Sequence, residues 1–132
     1  MISSRRKRRD SLLFVYGTLR PFVEIEMARW LRSFASHLGT ATTPGRLYDL
    51  GAYPGMKTVR GGRERVVGDV YRVTNPRVFR VLDRYEANFA RERCLVKLAR
   101  GVRRTAWAYR YRHGVAGATR IASGDYRVHR HG

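Results

Sequence analysis

The longest apolar run of the chain, residues 12–16, ends at a glycine. A short apolar run before a turn signal is typical of a strand that is buried on both faces. Gly17 is followed by the small hydroxyl residue Thr18, and free N–H groups at such a turn can cradle a carboxylate. The run therefore predicts a central strand with a candidate ligand-binding turn at its end, and an ordinary strand-ending turn is the simpler alternative.

Apolar periodicity predicts two helices. The first covers residues 22–36, where apolar residues recur at steps of three and four, and Gly39 is a suitable stop for it. Its apolar stripe consists of Met27, Trp30, Leu31, Phe34 and Leu38. The second helix begins at Asn75 and Pro76, which suit an N-cap and a first helical turn, and its apolar positions extend to Tyr85.

Strands dominate the rest of the pattern. Residues 65–73 alternate as a half-buried strand does. Shorter strands are predicted over 46–50, 94–98 and 105–111, with a turn at 100–101. Because strands and helices do not alternate regularly, the predicted class is α+β. A chain of 132 residues fits one domain, which we place at residues 11–132.

The charge of the chain is strongly positive, with 28 lysines and arginines against 10 acids and a net charge of +18. Consecutive bases occupy positions 5–9, and we interpret residues 1–10 as a basic, solvated and mobile tail. Attachment of this tail to nucleic acid or anionic lipid is the alternative. The other arginines are spread along the chain, a distribution that composition bias also produces.

Several protein classes are disfavoured. A bilayer span needs roughly 20 consecutive apolar residues. The run at residues 12–16 is far shorter, so we expect no membrane association. Cys94 has no second cysteine to pair with, which is typical of a protein of the reducing cytoplasm. His129 and His131 lack the third ligand that a catalytic metal needs, so we expect no metal.

Two carboxylates, Asp83 and Glu86, lie at the end of the second helix. At about 100° per residue, Glu86 falls beside Leu82 at the margin of the apolar stripe, and Asp83 falls further toward solvent. A helix C-terminus and partial burial both raise a carboxyl pKa, which suits a general base near neutral pH. Glu86 is therefore the candidate catalytic residue, although position alone favours a surface glutamate at a fraying helix end.

These features belong to a longer ordered series of short motifs. From residue 16 to residue 126 the series is Y-G-T-L-R, P-G-R-L-Y, Y-P-G, G-D-V-Y, L-D-R-Y-E, A-W-A-Y and S-G-D-Y. In this order the motifs resemble the γ-glutamylcyclotransferase-like family over about residues 12–128. The Y-G-T-L opening followed by a helix that ends in L-D-x-Y-E is the most specific part of the resemblance.

The resemblance implies a small mixed β-barrel flanked by short helices. It also implies an enzyme that releases 5-oxoproline and a free amine from a small γ-glutamyl compound without a cofactor. Glu86 matches the family's catalytic acid/base, which would assist attack of the substrate's α-amine on its own γ-carbonyl. The implied substrate-binding residues are Tyr16, Gly17, Thr18, Leu19, Tyr126 and Tyr109. Nucleic acid is then expected only as a non-specific partner of the basic tail.

Two positions depart from the family pattern on the leaving-group side. Ala87 stands where glycine is common, and Phe89 stands where tyrosine is usual. The released amine therefore stays open among glutathione-derived dipeptides, γ-glutamyl amines and γ-glutamylated biosynthetic intermediates. Two other functions also stay open. One is a catalytically silent basic module of the same fold that binds nucleic acid, and the other is a fold kept for an unrelated small anion.

Overall fold

Five strands of the computed structural model close into one barrel. They are β1 (Ser11–Val15), β2 (Ala35–Pro44), β5 (Arg65–Val73), β6 (Phe89–Leu98) and β7 (Arg103–Tyr111). Their order around the barrel is β1-β5-β2-β6-β7, and all neighbours are antiparallel except β1 and β7, which are parallel. The mixed β-barrel that the resemblance implied is therefore confirmed.

A second, three-stranded sheet and three short helices complete the described structure, which comprises residues 11–59 and 61–131. The sheet has the order β4-β3-β8 and is formed by β3 (Arg46–Asp49), β4 (Pro54–Lys57) and β8 (Thr119–Ile121). The helices are α1 (Glu26–Phe34), α2 (Arg77–Tyr85) and α3 (Tyr126–His131). Within the described ranges, no helix has the length and apolar character needed to cross a bilayer. The predicted basic tail, residues 1–10, lies outside the described residues.

Strand β1 is buried on both faces, as its apolar run predicted. Phe14 belongs to a core cluster that includes Val70 of β5. Its neighbour Leu13 belongs to a second cluster, which includes Leu31 of α1 and Leu82 of α2. Because successive side chains of a strand alternate between its faces, β1 joins the two cores and carries the chain between them to the turn at its end.

The first predicted helix is shorter than its apolar pattern indicated. We predicted a helix over residues 22–36, whereas α1 covers Glu26–Phe34 and β2 begins immediately afterwards. Ala35 pairs with Val73 of β5, so ladder hydrogen bonds replace the last helical turn. Leu38 is therefore a strand residue and is 38% exposed, although its spacing fits the helical stripe. The spacing of apolar residues could not predict the long-range strand pairing that ends this helix.

The second helix and the long strands follow their predictions more closely. The N-cap position of α2 is Pro76 and not the predicted Asn75, but the side-chain oxygen of Asn75 accepts the N–H of Arg77, the first residue of the helix, across 3.0 Å. Strand β5 occupies the predicted residues 65–73. Strands β6 and β7 begin earlier than predicted, at Phe89 and Arg103. As a result, β6 starts directly after the turn that carries Glu86.

Candidate active site

A cavity of about 290 Å³ lies where β1 ends and where α2 passes into β6. It brings together every predicted site residue except Tyr126. The lining residues are Phe14, Val15, Tyr16, Gly17, Thr18, Leu19, Tyr53, Pro54, Tyr85, Glu86, Ala87, Asn88, Phe89 and Tyr109. Two segments that are distant in sequence, the turn after β1 and the turn after α2, therefore share one small pocket.

Backbone hydrogen bonds hold Glu86 at the wall of this cavity. Its N–H donates to the Leu82 carbonyl across 2.8 Å, and its own carbonyl accepts the N–H of Phe89 across 2.9 Å. The N–H of Arg112 donates to the Asn88 carbonyl across 3.0 Å, which fastens the same turn from the end of β7. The predicted alternative of a fraying helix end does not describe this segment, because the turn is bonded on both sides of Glu86.

The Glu86 carboxylate forms no ion pair and no hydrogen bond with any described residue. Every other acid in the described part of the chain, apart from the exposed Glu26, contacts an arginine or a histidine side chain. Glu86 is half-buried, and burial raises its pKa to about 7. A carboxyl with this pKa can both accept and return a proton near neutral pH.

Asp83, the neighbouring carboxylate, is fully engaged. It accepts a hydrogen bond from the Tyr109 hydroxyl across 2.7 Å and two from the Arg91 guanidinium, across 2.8 and 3.2 Å. Burial acts to raise the pKa of Asp83, but the hydrogen bonds from Arg91 and Tyr109 outweigh it and lower that pKa below its ordinary value. Burial and the bond to Asp83 raise the pKa of Tyr109, so its hydroxyl stays protonated.

The turn after β1 lines the cavity and carries free backbone donors. The N–H groups of Gly17, Thr18 and Leu19 have no acceptor among the described residues. A Cβ atom on Gly17 would lie 2.6 Å from the ring of Pro54, so the packing of this proline requires glycine here. Successive unpaired N–H groups can form a concavity suited to an anion, and the described residues that line the cavity include no lysine, arginine or histidine that would serve instead.

Arg20 anchors this turn and was not selected from the sequence. It is 4% exposed, its Nε donates to Asp69 across 2.7 Å, and its Nη1 donates to Asp125 across 2.8 Å. The Nε2 atom of His37 lies 2.8 Å from the second oxygen of Asp69. The buried guanidinium therefore ties the turn both to β5 and to the segment that precedes α3. The acids of the G-D-V-Y and S-G-D-Y motifs, Asp69 and Asp125, were the only sequence signal for this arginine, and only the fold shows that both bind Arg20.

Tyr16 lines the cavity with its hydroxyl already satisfied. The hydroxyl donates to the Tyr109 carbonyl across 2.5 Å and accepts the N–H of Met56 across 3.1 Å. Burial raises the pKa of Tyr16. Its ring therefore forms a fixed wall that links β1, β4 and β7, and its hydroxyl is not a proton donor for a ligand.

Tyr126 lies in the barrel core, 8% exposed, and is not among the residues that line the cavity. Its motif begins helix α3, because the Asp125 carboxylate accepts the N–H of Arg127 across 2.9 Å. The same carboxylate accepts the bond from Arg20. The described contacts thus give the S-G-D-Y motif a capping and anchoring role, and binding of substrate by Tyr126 stays a prediction of the resemblance.

Aromatic rings form one wall of the cavity. The ring of Phe89 packs 5.7 Å from that of Tyr53 and 5.4 Å from that of Tyr111, measured between centroids. Ala87 adopts no positive φ, since Arg100 is the one non-glycine residue in the described ranges that does. Alanine is therefore accommodated without backbone strain where the family commonly has glycine, and phenylalanine at position 89 makes this wall apolar.

The fold and the site together define a small β-barrel domain with one free carboxylate in a metabolite-sized cavity. The sequence profile of the family described as gamma-glutamyl cyclotransferase, AIG2-like, matches residues 13–128. The chain belongs to this family. None of the curated proteins matches the chain closely enough to count as a relative.

Solved structures agree with this assignment. YkqA from Bacillus subtilis shares 26% identity and a TM-score of 0.76 over 92% of this chain, which spans 41% of the length of YkqA. The protein ytfP from Escherichia coli shares 31% identity and a TM-score of 0.62, covering 87% of this chain and 95% of ytfP. An AIG2-like protein (GGACT) from Mus musculus shares 23% identity and a TM-score of 0.66, covering 76% of each chain, and this likeness shows the common fold.

Proposed function

We propose that this protein is a cofactor-independent γ-glutamyl cyclotransferase, which converts a γ-glutamyl compound into 5-oxoproline and a free amine. The observation that carries the proposal is the half-buried, unpaired carboxylate of Glu86 at the cavity wall, with a pKa raised to about 7. Membership of a family described by cyclotransferase activity supports the reaction class. A volume of about 290 Å³ is near the lower end of small-molecule sites, roughly 300–1,000 Å³, and suits a metabolite.

The turn after β1 is the proposed binding site for the α-carboxylate of the substrate. The free N–H groups of Gly17, Thr18 and Leu19 are the unpaired donors in a lining without basic side chains. Tyr16 and Tyr109 form the walls that orient the glutamyl chain, since their hydroxyls are engaged elsewhere. In this arrangement the α-amine lies between the turn and Glu86, and the γ-carbonyl extends toward the aromatic wall at Phe89.

Glu86 performs the proposed proton transfers. It takes a proton from the α-ammonium group, and the freed amine attacks the substrate's own γ-carbonyl carbon to form the new C–N bond. The carbonyl oxygen receives the electron pair that the C=O double bond releases. When the carbonyl re-forms and the bond to the leaving amine breaks, that amine takes the proton back from Glu86. The ring nitrogen gives up its own extra proton to solvent, so the products are the neutral lactam 5-oxoproline and the free amine. Water and a second substrate are not consumed.

Positioning supplies much of the proposed rate enhancement. Ring closure is intramolecular, and well-oriented intramolecular reactions gain roughly 7–11 kcal/mol over their bimolecular counterparts. A site for such a reaction needs fixed walls, one proton carrier and a set of oxyanion donors. Fixed walls and a single free carboxylate are the features that the described cavity contains.

Mass spectrometry after incubation with a panel of γ-glutamyl compounds tests this function. The panel contains a γ-glutamyl dipeptide, a γ-glutamyl alkylamine and glutathione, and products are quantified against a reaction without protein. We expect 5-oxoproline and free amine in equal amounts from at least one compound. Release of glutamate instead would indicate hydrolysis, and the absence of any product from the whole panel would refute the proposal.

A further inference from the structure

A second concave surface lies at the other end of the barrel and has a different chemistry. It is a groove of about 1,020 Å³, which we call the basic groove. Its lining residues are Leu12, Leu38, Gly39, Thr40, Ala41, Thr42, Arg72, Lys97, Leu98, Ala99, Arg100, Gly101, Val102 and Arg104. The groove thus has an aliphatic floor and four basic side chains, and its described lining includes no acidic residue.

The strand directions separate this groove from the active-site cavity. The cavity lies where β1 ends, where β6 begins and next to Tyr109 near the end of β7. The basic groove lies at Leu12 near the start of β1, at the end of β6 and at Arg104 near the start of β7. Because β1 and β7 run parallel, these are opposite ends of one barrel, and no residue lines both. A large ligand in the groove would leave the cavity open.

Four bases in and beside the groove have no acidic partner among the described residues. Lys97, Arg100, Arg103 and Arg104 are exposed, and none of them contacts a described acid. Lys97 also lies directly opposite Arg103 in the ladder between β6 and β7. Like charges directly opposite each other destabilise a pair of strands, so this arrangement favours an anion that lies across both.

One of these bases lies at the tip of the turn between β6 and β7, in an unusual conformation. Arg100 has a φ of 63° and is followed by Gly101, with a φ of 74°. Asparagine, aspartate and glycine are the residues that adopt this left-handed conformation at low cost. An arginine occupies this position despite the backbone cost, and its charge lies at the edge of the groove.

Charge complementarity indicates the kind of occupant. The described lining combines exposed bases with an aliphatic floor and includes no acid, so it suits a ligand that carries several negative charges.

We propose that the basic groove binds the phosphate backbone of duplex nucleic acid without sequence preference. The charge and the cross-strand pair of bases match a row of phosphates, which is the dominant source of non-specific affinity. The residues described in the groove include no aromatic side chain, so they offer no stacking platform of the kind on which unpaired bases bind. This favours contact with the backbone of a duplex over recognition of single strands.

Fluorescence anisotropy with a short labelled DNA duplex tests the proposal across a series of salt concentrations. The full chain is compared with a groove variant carrying Lys97→Gln, Arg100→Asn and Arg104→Gln. The matched control carries Arg63→Gln, Arg77→Gln and Arg80→Gln, which removes the same charge from exposed positions outside the groove. Thermal unfolding of all three proteins confirms that they are folded.

We expect the groove variant to bind at least tenfold more weakly than the control at low salt. The slope of log affinity against log salt concentration should also fall by about 3 relative to the full chain, since three phosphate contacts are lost. Equal losses in the groove variant and the control would overturn the proposal, because net charge alone would then explain the binding. It would also be overturned if the full chain bound no duplex, or bound anionic phosphatidylserine vesicles but not DNA.

Discussion

The hydroxyl of Tyr109 donates a hydrogen bond to Asp83 across 2.7 Å, while Glu86, three residues further along the chain, has no described partner. The two carboxylates at the end of α2 therefore differ in state, since the pKa of Asp83 is lowered and that of Glu86 is raised to about 7. Asp83→Asn should loosen Tyr109 and raise KM several-fold, and kcat should keep its dependence on pH. Steady-state kinetics at several pH values check this. If Asp83→Asn lost as much kcat as Glu86→Gln, Asp83 would take part in the proton transfer, and its assignment to Glu86 alone would be wrong.

The pH dependence of the reaction follows from the raised pKa of Glu86. The base must be ionised to accept the ammonium proton, so kcat/KM should rise with pH, about tenfold per unit below pH 7, and level off above it. A pH profile on any substrate found in the panel measures this inflection. A profile that is flat from pH 5 to pH 8 would be incompatible with Glu86 as the base.

The free energy of unfolding should also depend on pH through Glu86. The pKa of Glu86 is raised from 4.5 to about 7 on folding, so the stability that this group contributes is complete below pH 4.5 and is lost as the pH rises through 7. Glu86→Gln avoids burying a charge and should raise the free energy of unfolding at pH 8 by up to about 3 kcal/mol. At pH 4 the variant and the natural chain should match. Urea denaturation at the two pH values decides, and a variant that is less stable at pH 8 would contradict the assigned pKa.

Arg20 should matter both for stability and for binding. Removing the guanidinium by Arg20→Met leaves Asp69 and Asp125 without their shared partner, and breaking a buried ion pair costs about 3–5 kcal/mol. The control is Arg29→Gln, because the exposed pair of Arg29 with Glu24 contributes at most about 1 kcal/mol. Where Arg20→Met is folded, KM should rise more than kcat falls, since the turn that holds the α-carboxylate loses its anchor. Unchanged stability and KM would show that the turn does not depend on Arg20.

The wall around Phe89 predicts which amines leave most readily. Because the described lining of the cavity contains no lysine, arginine or histidine, a leaving group that carries its own carboxylate would meet no counter-charge there. A γ-glutamyl alkylamine should therefore have a kcat/KM at least tenfold above that of the γ-glutamyl amino acid of similar size. Competition between the two substrates in one reaction measures the ratio directly. A preference for the amino acid would place a cationic contact in the site that the described lining lacks.

Local patterns in the sequence predicted the elements that position the site. The apolar run before Gly17 indicated a strand buried on both faces, and the stripe that includes Leu82 placed Glu86 at the margin of the core. Both features are properties of neighbouring residues, so periodicity reveals them. The raised pKa of Glu86 followed in direction from the same position, although its cause is burial in the cavity.

Features that depend on contacts between distant residues could not be predicted in this way. Arg20 lies 49 residues from Asp69 and 105 from Asp125, and no local pattern indicates that the three meet. The position of Leu38 fits a helical stripe as well as it fits a strand, and only the pairing of β2 with β5 makes it a strand residue. The basic groove likewise forms only when the ends of β1, β2, β6 and β7 come together.

The rate of 5-oxoproline formation by Glu86→Gln is the most direct test of the proposed chemistry. Glu26→Gln is the matched control, because Glu26 is the other described acid without a basic partner and lies outside the cavity. We expect Glu86→Gln to lose about 10²–10⁴-fold in kcat, the usual contribution of a general base, while Glu26→Gln keeps the rate of the natural chain. Turnover by Glu86→Gln at the rate of the natural chain would show that Glu86 is not the catalytic base.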